Sequence, residues 1–336
     1  MVGDRLRLLL HHEGTAFRDP GFGFDDRHDG TTWAAEWQRT VRVSPARTVV
    51  IGLDAHLQTL RSTAVGERSA TVAALYLQDD RALGPRLLLS TGVRADLHST
   101  YGVQINPRVG LVYFVRPDVR LRLAAGRTFR GPTLADLYWP FDGFQFGNPL
   151  LRPEYAWSVD AGLEASLATG VVMRASVFWS DVRDLILWVP DAAFIFSPQN
   201  IGTASIRGGS IEIEGALNAR WHLRASSTWL AATDAATGRD LPNRARHAGA
   251  LALTATLPRG GSVTASAVFV GARFADLANT VALPAYLTVG LTVQAPVTES
   301  AALRASIHNL FDARYESVQG YPAPGRTVFV EFVLRR

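Results

Sequence analysis

Polarity alternates along much of the chain with the period of a β-strand rather than of a helix. Val119, Leu121, Leu123 and Ala125 are apolar, and Arg120, Arg122 and Ala124 fall between them. Val171, Met173, Ala175, Val177 and Trp179 likewise oppose Arg174, Ser176 and Ser180, and Ile211, Ile213 and Leu217 oppose Glu212 and Glu214. The carboxyl end repeats the pattern, with Val328, Val330, Phe332 and Leu334 on one face and Thr327 and Glu331 on the other. Successive strand side chains point to opposite faces, so each segment reads as a two-faced strand.

The order of the turns adds to this. Short turns fall at Ser44–Pro45, Arg81–Pro85, Arg116–Asp118, Ala168–Gly170, Leu217–Ala219, Pro258–Gly261 and Pro296–Glu299. Longer connections are expected between them, near 12–30, 61–67, 97–103, 129–153, 185–205, 232–243, 272–284 and 312–324. The sum is about sixteen antiparallel strands with short turns at one end and long loops at the other, the arrangement of an outer-membrane barrel. The predicted fold class is therefore all-β, an antiparallel transmembrane outer-membrane β-barrel. In it Val328, Val330 and Phe332 face lipid, and Arg120, Arg122, Glu212, Glu214 and Glu331 face a wet lumen, because a midplane arginine facing lipid costs about 2–4 kcal/mol. A soluble β-sandwich is the competing explanation of the same alternation and predicts folding in buffer without detergent.

Composition narrows the choice. The chain of 336 residues has room for one large β domain or two ordinary ones. It is 47% hydrophobic with a mean hydropathy of +0.07. No apolar run approaches the roughly 18–20 residues of a spanning helix, which argues against a helical membrane protein. The 29 glycines and 17 prolines are spread among short β-rich stretches, as many turns require. The charge of +4 comes from 34 basic residues, every one an arginine, against 30 acidic ones. They are interspersed, so no basic patch for nucleic acid stands out. The chain has no cysteine, hence no disulfide, thiolate metal site or cysteine nucleophile. The start, Met1-Val2-Gly3-Asp4-Arg5, lacks a basic n-region followed by an apolar h-region, so the signal of an exported protein would lie upstream.

Candidate chemistry is sparse. No Gly-X-Ser-X-Gly elbow, phosphate loop or His-Glu-X-X-His segment occurs, and no catalytic residue is nominated. Asp25, Asp26 and Asp29 offer oxygens to calcium in an outer loop, but lack the glycine turn and distal glutamate of an EF-hand and read as a solvated loop. His11 and His12 are neighbours on a strand, point to opposite faces and make a poor chelating pair. Neither a metal site nor another cofactor is expected. The loop 138–146 gathers Tyr138, Trp139, Phe141, Phe144 and Phe146, which either stack on a ligand outside the cell, pack the loop on itself or form an interfacial girdle.

Three stretches resemble the barrel half of TonB-dependent outer-membrane receptors, the active transporters for siderophores, vitamin B12 and similar scarce ligands. The first runs Asn106-Pro107-Arg108-Val109-Gly110 and, after a turn, Phe129-Arg130-Gly131-Pro132-Thr133-Leu134-Ala135-Asp136-Leu137-Tyr138. The second is Gly147-Asn148-Pro149-Leu150-Leu151-Arg152-Pro153-Glu154. The third is Asn309-Leu310-Phe311-Asp312, then Tyr315-Glu316, then Gly320-Tyr321-Pro322-Ala323-Pro324-Gly325-Arg326 before the terminal strand. Each alone is a weak Pro/Gly pattern; three in the family's order are specific, and the resemblance covers about residue 46 to the end, closest to the vitamin B12 receptor-like group. Physically these residues read first as architecture, since proline ends a ladder and stiffens a loop.

The resemblance implies a larger barrel of about 22 strands with a plugged lumen. On that basis 1–336 is the carboxyl portion of the barrel domain, with about six strands, the plug with its TonB-contacting segment and the signal peptide outside it. The implied function is TonB-dependent uptake of a ferric siderophore or cobalamin, not competent as active transport in this portion alone; a passive porin-like or structural barrel is the alternative. The implied partners are membrane lipid and lipopolysaccharide, a metal chelate or cobalamin, TonB through the plug, and the barrel-insertion machinery, in a bacterial outer membrane. The end, Leu334-Arg335-Arg336, departs from the terminal aromatic usual in such barrels.

Overall fold

The computed structural model describes residues 2–334 except Phe22, Ala192 and Glu299, with Phe24 described through its backbone. The expected turn through Glu299 and the terminal arginines thus lie in part outside the described residues. The first strands are β1 (Val2–Asp19), β2 (Phe24–Ser44), β3 (Arg47–Ser62), β4 (Gly66–Ala82), β5 (Leu87–His98), β6 (Gly102–Arg116) and β7 (Val119–Arg130). A short helix, α1 (Leu134–Tyr138), precedes β8 (Glu154–Ala168) and β9 (Val171–Arg183). A hairpin of β10 (Ile186–Pro190) and β11 (Phe196–Asn200) leads to β12 (Thr203–Ala216), β13 (Trp221–Asp234), β14 (His247–Thr256) and β15 (Ser262–Val270). The ribbons β16 (Arg273–Phe274) with β17 (Ala282–Leu283), and β20 (Glu316–Val318) with β21 (Tyr321–Pro322), flank β18 (Tyr286–Thr298) and β19 (Ala301–His308), and β22 (Thr327–Leu334) closes the order.

Leaving out the three ribbons, the strands form one sheet of 16 in strict chain order. This all-β architecture matches the expected strand number. The chain divides into two compact units, one of 1–113, 123–159 and 180–204, the other of 114–122, 160–179 and 205–336.

Two of the sheet's features follow from the alternation. In the first unit, Leu6, Leu8 and Leu10 pair with Trp37, Ala35 and Trp33. The row continues through Leu53, Ala55 and Leu57 to Leu75, Ala73 and Thr71, then to Ala95 and Leu97 and Ile105 and Val103. Most of these large apolar side chains are exposed, Leu8 by 72%. The opposite face carries Arg5, Arg7, Glu36, Asp54, Tyr76, Arg94 and Asp96, held together by bonds across and along the strands. Arg94 reaches Asp54 at 2.9 Å and Asp96 at 2.8 Å, and the Tyr76 hydroxyl donates to Glu36 at 3.0 Å. Gly52 makes that last bond possible, because a Cβ there would collide with the Tyr76 ring.

The turns fall as expected at 45–46, 83–86, 117–118 and 169–170. Three expected long connections do not exist. The β1–β2 turn is 20–23, the β3–β4 turn 63–65 and the β5–β6 turn 99–101, because pairing continues through polar stretches such as Glu13 opposite Gly30 and Thr15 opposite His28. Beyond the apolar rows both faces are polar, so alternation disappears while the ladder persists. Strands β1 to β4 accordingly run to 18, 21, 16 and 17 residues, well beyond the roughly 9–11 that cross a bilayer at a tilt.

Candidate ligand-binding loops and the polar wall

The long β7–β8 connection and the β10–β11 hairpin fold together as a small structure of their own. Thr133 caps α1: its hydroxyl accepts from the Asp136 N–H at 3.0 Å, while the Asp136 carboxylate accepts from the Thr133 N–H at 2.9 Å. This is a capping box with Asp in the place of Glu. The other Asp136 oxygen accepts from the Trp188 indole at 2.9 Å, tying α1 to β10. Leu137, Leu151 and Ile186 form a buried core beneath, with Tyr138 packed against it.

Further bonds stitch the two segments. The Phe146 N–H donates to Phe196 O at 3.0 Å and the Phe196 N–H to Phe144 O at 2.8 Å. The Asn148 amide donates to Pro198 O at 3.1 Å, and Asn200 accepts from the Arg152 N–H at 3.0 Å. Glu154 pairs with Arg130 at 2.5 Å and accepts from the Ile186 N–H at 3.0 Å. Gly147 lies so close to the α1 end that a Cβ would come within 2.6 Å of Trp139 N. Gly131 similarly leaves room for the Tyr101 ring, which stacks on His98 at 3.7 Å. The Pro/Gly motifs here are therefore architectural residues.

The five aromatics singled out in this loop separate into two groups. Tyr138 is part-buried beneath the Arg68 guanidinium, 4.7 Å from its ring. Trp139 is part-buried too, and its indole donates to Asp142 at 3.0 Å. Burial works against ionisation of Asp142, but that indole bond and the N–H groups of Phe144 and Gln145 outweigh it and hold the carboxyl below its usual range. Phe141, Phe144 and Phe146 are 64%, 61% and 41% exposed, and the hairpin adds Phe194 and Phe196 at 79% and 40%. The last two escaped the sequence reading because about fifty residues separate them from the loop. The missed signal for the fold of the loop was Thr133-Leu134-Ala135-Asp136 itself, which has capping-box spacing. Next to α1, on the polar face of β1 to β5, lies a cavity of about 500 Å³ lined in part by His11, Glu13, Thr32, Gln58 and His98.

The charged wall residues of the second unit meet partners on one face. Glu164 takes Arg120, Arg122 at 3.2 Å and Arg174 at 3.4 Å. Arg174 also approaches Glu212 at 4.0 Å, Glu214 pairs with Arg224, and Glu331 with Arg304 at 3.4 Å. On the other face of β22, Val328, Val330 and Phe332 lie opposite Ile307, Ala305 and Leu303 and are 64%, 68% and 61% exposed. The residues raised for calcium are not gathered: Asp25 and Asp29 share one face of β2 and Asp26 the other, Asp25 pairing with Arg18 at 2.9 Å. Among the described residues no group of three or more His, Asp or Glu is arranged to hold a metal.

The third motif is also architectural. Asn309, with φ of 50°, is buried and donates to Ala313 O at 2.9 Å and Pro324 O at 3.4 Å, while accepting from the Ala313 N–H at 2.8 Å. Asp312 accepts from the Arg326 N–H at 2.7 Å.

An exposed apolar face, an ion-paired polar face and long structured loops define a membrane-barrel wall of the receptor type. Residues 7–310 match the family of TonB dependent receptor-like beta-barrels, and the chain belongs to that family. It is 26% identical over 327 residues to the vitamin B12 transporter BtuB of Photobacterium profundum, spanning 94% of this chain and 52% of that protein. It is 27% identical over 220 residues to the metal-pseudopaline receptor CntO of Pseudomonas aeruginosa, spanning 62% of this chain and 30% of that one. A crystallised variant of the ferric enterobactin receptor PfeA from Pseudomonas aeruginosa shares the fold, with a TM-score of 0.81 at 18% identity over 99% of this chain and 59% of the other. The chain spans about half the length of the vitamin B12 transporters it matches, 52% and 49% of two of them. The family's members are receptors and transporters.

Proposed function

We propose that this chain forms the membrane-spanning wall and outer loops of a bacterial outer-membrane receptor for a scarce ligand, a metal chelate or cobalamin. The observation that carries this is the two-faced wall: in each unit exposed leucines, valines and tryptophans back onto cross-strand ion pairs. Only a surface with lipid on one side and water on the other suits both faces. Arg120, Arg122, Glu212, Glu214 and Glu331 then line the wet side, and Val328, Val330 and Phe332 the lipid side.

Phe141, Phe144 and Phe146, with Phe194 and Phe196, supply the first ligand contacts, since a rigidly mounted aromatic patch stacks on planar ligand rings at little entropic cost. Tyr138 and Trp139 act behind them as supports. Lipopolysaccharide, the insertion machinery and TonB are the expected partners, and this chain by itself does not carry out energy-coupled uptake. An ungated pore is the second reading, favoured by the charged wall.

The test is binding by the chain in detergent micelles of a ferric tris-catecholate and of cyanocobalamin. Combined Phe144→Ala and Phe146→Ala changes should weaken the preferred ligand about tenfold, on the scale of one or two aromatic contacts. Binding of both ligands unaltered by the double change would contradict the loop assignment. Restoration of energy-dependent uptake by this chain alone in a receptor-deficient cell would contradict the division of labour.

A further inference from the structure

The two segments that fold together after α1, residues 139–151 and 185–199, contain no arginine, lysine or histidine. Arginine is 34 of the chain's 336 residues and is interspersed elsewhere, so its absence here is a local property. The charges these segments do carry are Asp142 and Asp191. Asp142 accepts from the Trp139 indole at 3.0 Å and from the Phe144 and Gln145 N–H groups at 2.9 Å. Asp191 accepts from the Ala193 and Ile195 N–H groups at 2.8 Å and 3.0 Å. Both serve as acceptors, the role of an ionised carboxylate, and among the described residues neither has a salt-bridge partner.

The cations at the edge of this structure are already engaged. Arg130 pairs with Glu154 and Arg152 with Asp184, each at 2.5 Å, and Arg68 lies over the Tyr138 ring. His28, with its ring centroid 6.2 Å from that of Trp139, is bonded to Ser62 Oγ at 2.8 Å. What the segments present outward is apolar, Leu150 being 87% exposed and Phe194 79%. Phe194 sits at the tip of the β10–β11 hairpin with φ of 61°. Glycine or asparagine adopts that conformation far more readily than a bulky side chain does. An exposed ring does little to stabilise its own hairpin, so strain kept at this position points to a contact made outward.

We propose that this tip selects ligands without net negative charge, uncharged chelates or corrinoids with an apolar flank, turns away polyanionic chelates, and holds out Phe194 to grip what it selects. The inference rests on the ligand-binding reading above and names the class of ligand that it leaves open. Aromatic ring faces are negative and attract cations or apolar surface rather than anions. The two carboxylates add repulsion that reaches across a Debye length of about 8 Å. A polyanion seated here would shed water without gaining a charged donor in return.

The test is equilibrium binding to the full chain in micelles of three probes. They are an uncharged ferric tris-hydroxamate, a trianionic ferric tris-catecholate of similar coordination geometry, and cyanocobalamin. The tighter of the two uncharged probes should exceed the tris-catecholate about tenfold in about 0.1 M salt, and the gap should shrink to about threefold in about 1 M salt. Leu150→Arg adds a cation at an exposed position and should narrow the gap about threefold at the lower salt. Phe194→Asn should weaken the preferred probe about fivefold. It should leave the thermal midpoint in heat-modified gel mobility unchanged or raised, because it relieves the backbone.

A tris-catecholate bound as tightly as the uncharged probes, or a gap indifferent to both salt and Leu150→Arg, would overturn the inference. If that binding still fell with the Phe144 and Phe146 changes, the ligand-binding reading would stand without it. Unaltered binding by Phe194→Asn, or a lowered midpoint, would overturn the role given to Phe194. Binding of none of the probes, or binding indifferent to every loop change, would overturn both readings.

Discussion

The opening strands β1 to β4 and the closing strands β19 and β22 apply the same rule to different lengths. In both groups a row of exposed apolar side chains backs onto ion-paired polar ones, Leu8 behind Arg7 and Glu36 in the first, Val330 beside Arg304 and Glu331 in the second. The opening strands run to 16–21 residues and the closing pair to 8 each. The number of apolar rows is set by the thickness of hydrocarbon, whereas strand length beyond those rows is free to vary. In the first unit the surplus builds polar surface on both faces. The closing pair lacks that surplus, and its connection is stabilised by a buried asparagine and by Asp312.

The largest expected effect tests the shared rule. Leu8→Arg and Val330→Arg should each destabilise the folded protein by about 2–4 kcal/mol in bilayers, whereas His12→Arg, beyond the apolar rows, should stay within about 0.5 kcal/mol. Urea unfolding in lipid measures all three; equal costs for Leu8→Arg and His12→Arg would mean that the apolar rows do not end at Leu10. Next comes the connection before β22. Asn309→Ala removes a buried side chain that makes bonds to Ala313 and Pro324 and leaves alanine at positive φ, so a loss of about 2–3 kcal/mol is expected in the same assay. The corresponding change in an opening turn, Ser62→Ala, removes the acceptor for the Ala64 and Val65 N–H groups. Because that turn is partly exposed to water, its loss should be about 1 kcal/mol, and a larger loss than for Asn309→Ala would reverse the contrast.

The smallest effect is a pH dependence shared by one loop of each unit. Bonds from the Trp139 indole and from the Phe144 and Gln145 N–H groups overcome burial to lower the Asp142 pKa, and bonds led by the Val281 N–H lower that of Asp276. A depressed folded-state pKa stabilises the loop above the unfolded value, about 3.9 for Asp, and the contribution is lost as pH falls through the lower folded value. Hydrogen exchange of residues 139–146 and 275–281 should therefore be slow and constant from pH 7 to 5, after correction for intrinsic rates, and gain openings only below about pH 4. A gain already at pH 6 would show that these carboxylates do not hold the loops.

Much of this architecture is legible in the sequence because its controlling signal is local. Alternation at Val119–Ala125 and Val328–Leu334 and the two-residue turns at Pro45 and Pro117 read directly as strands and their ends. The signal fails where its cause is absent. Residues 12–19 and 24–31 look like loop because water bathes both faces beyond the apolar rows, so no alternation is selected although Glu13 still pairs with Gly30. Phe194 and Phe196 could not be joined to Phe144 and Phe146 from the sequence, since they meet through long-range pairing such as the bridge between Gln145 and Phe196. The Thr133–Asp136 capping box was readable, but strand and turn expectations masked a helix of one turn.

The most direct test of the two-faced wall is a nitroxide scan of β22 in lipid bilayers, comparing oxygen and water-soluble quencher accessibility at each position from Val328 to Phe332. Labels at Val328, Val330 and Phe332 should be oxygen-accessible and lipid-like, and the label at Glu331 water-accessible, giving a two-residue period. Water-like accessibility at Val330, or no alternation along the strand, would contradict the membrane-spanning wall.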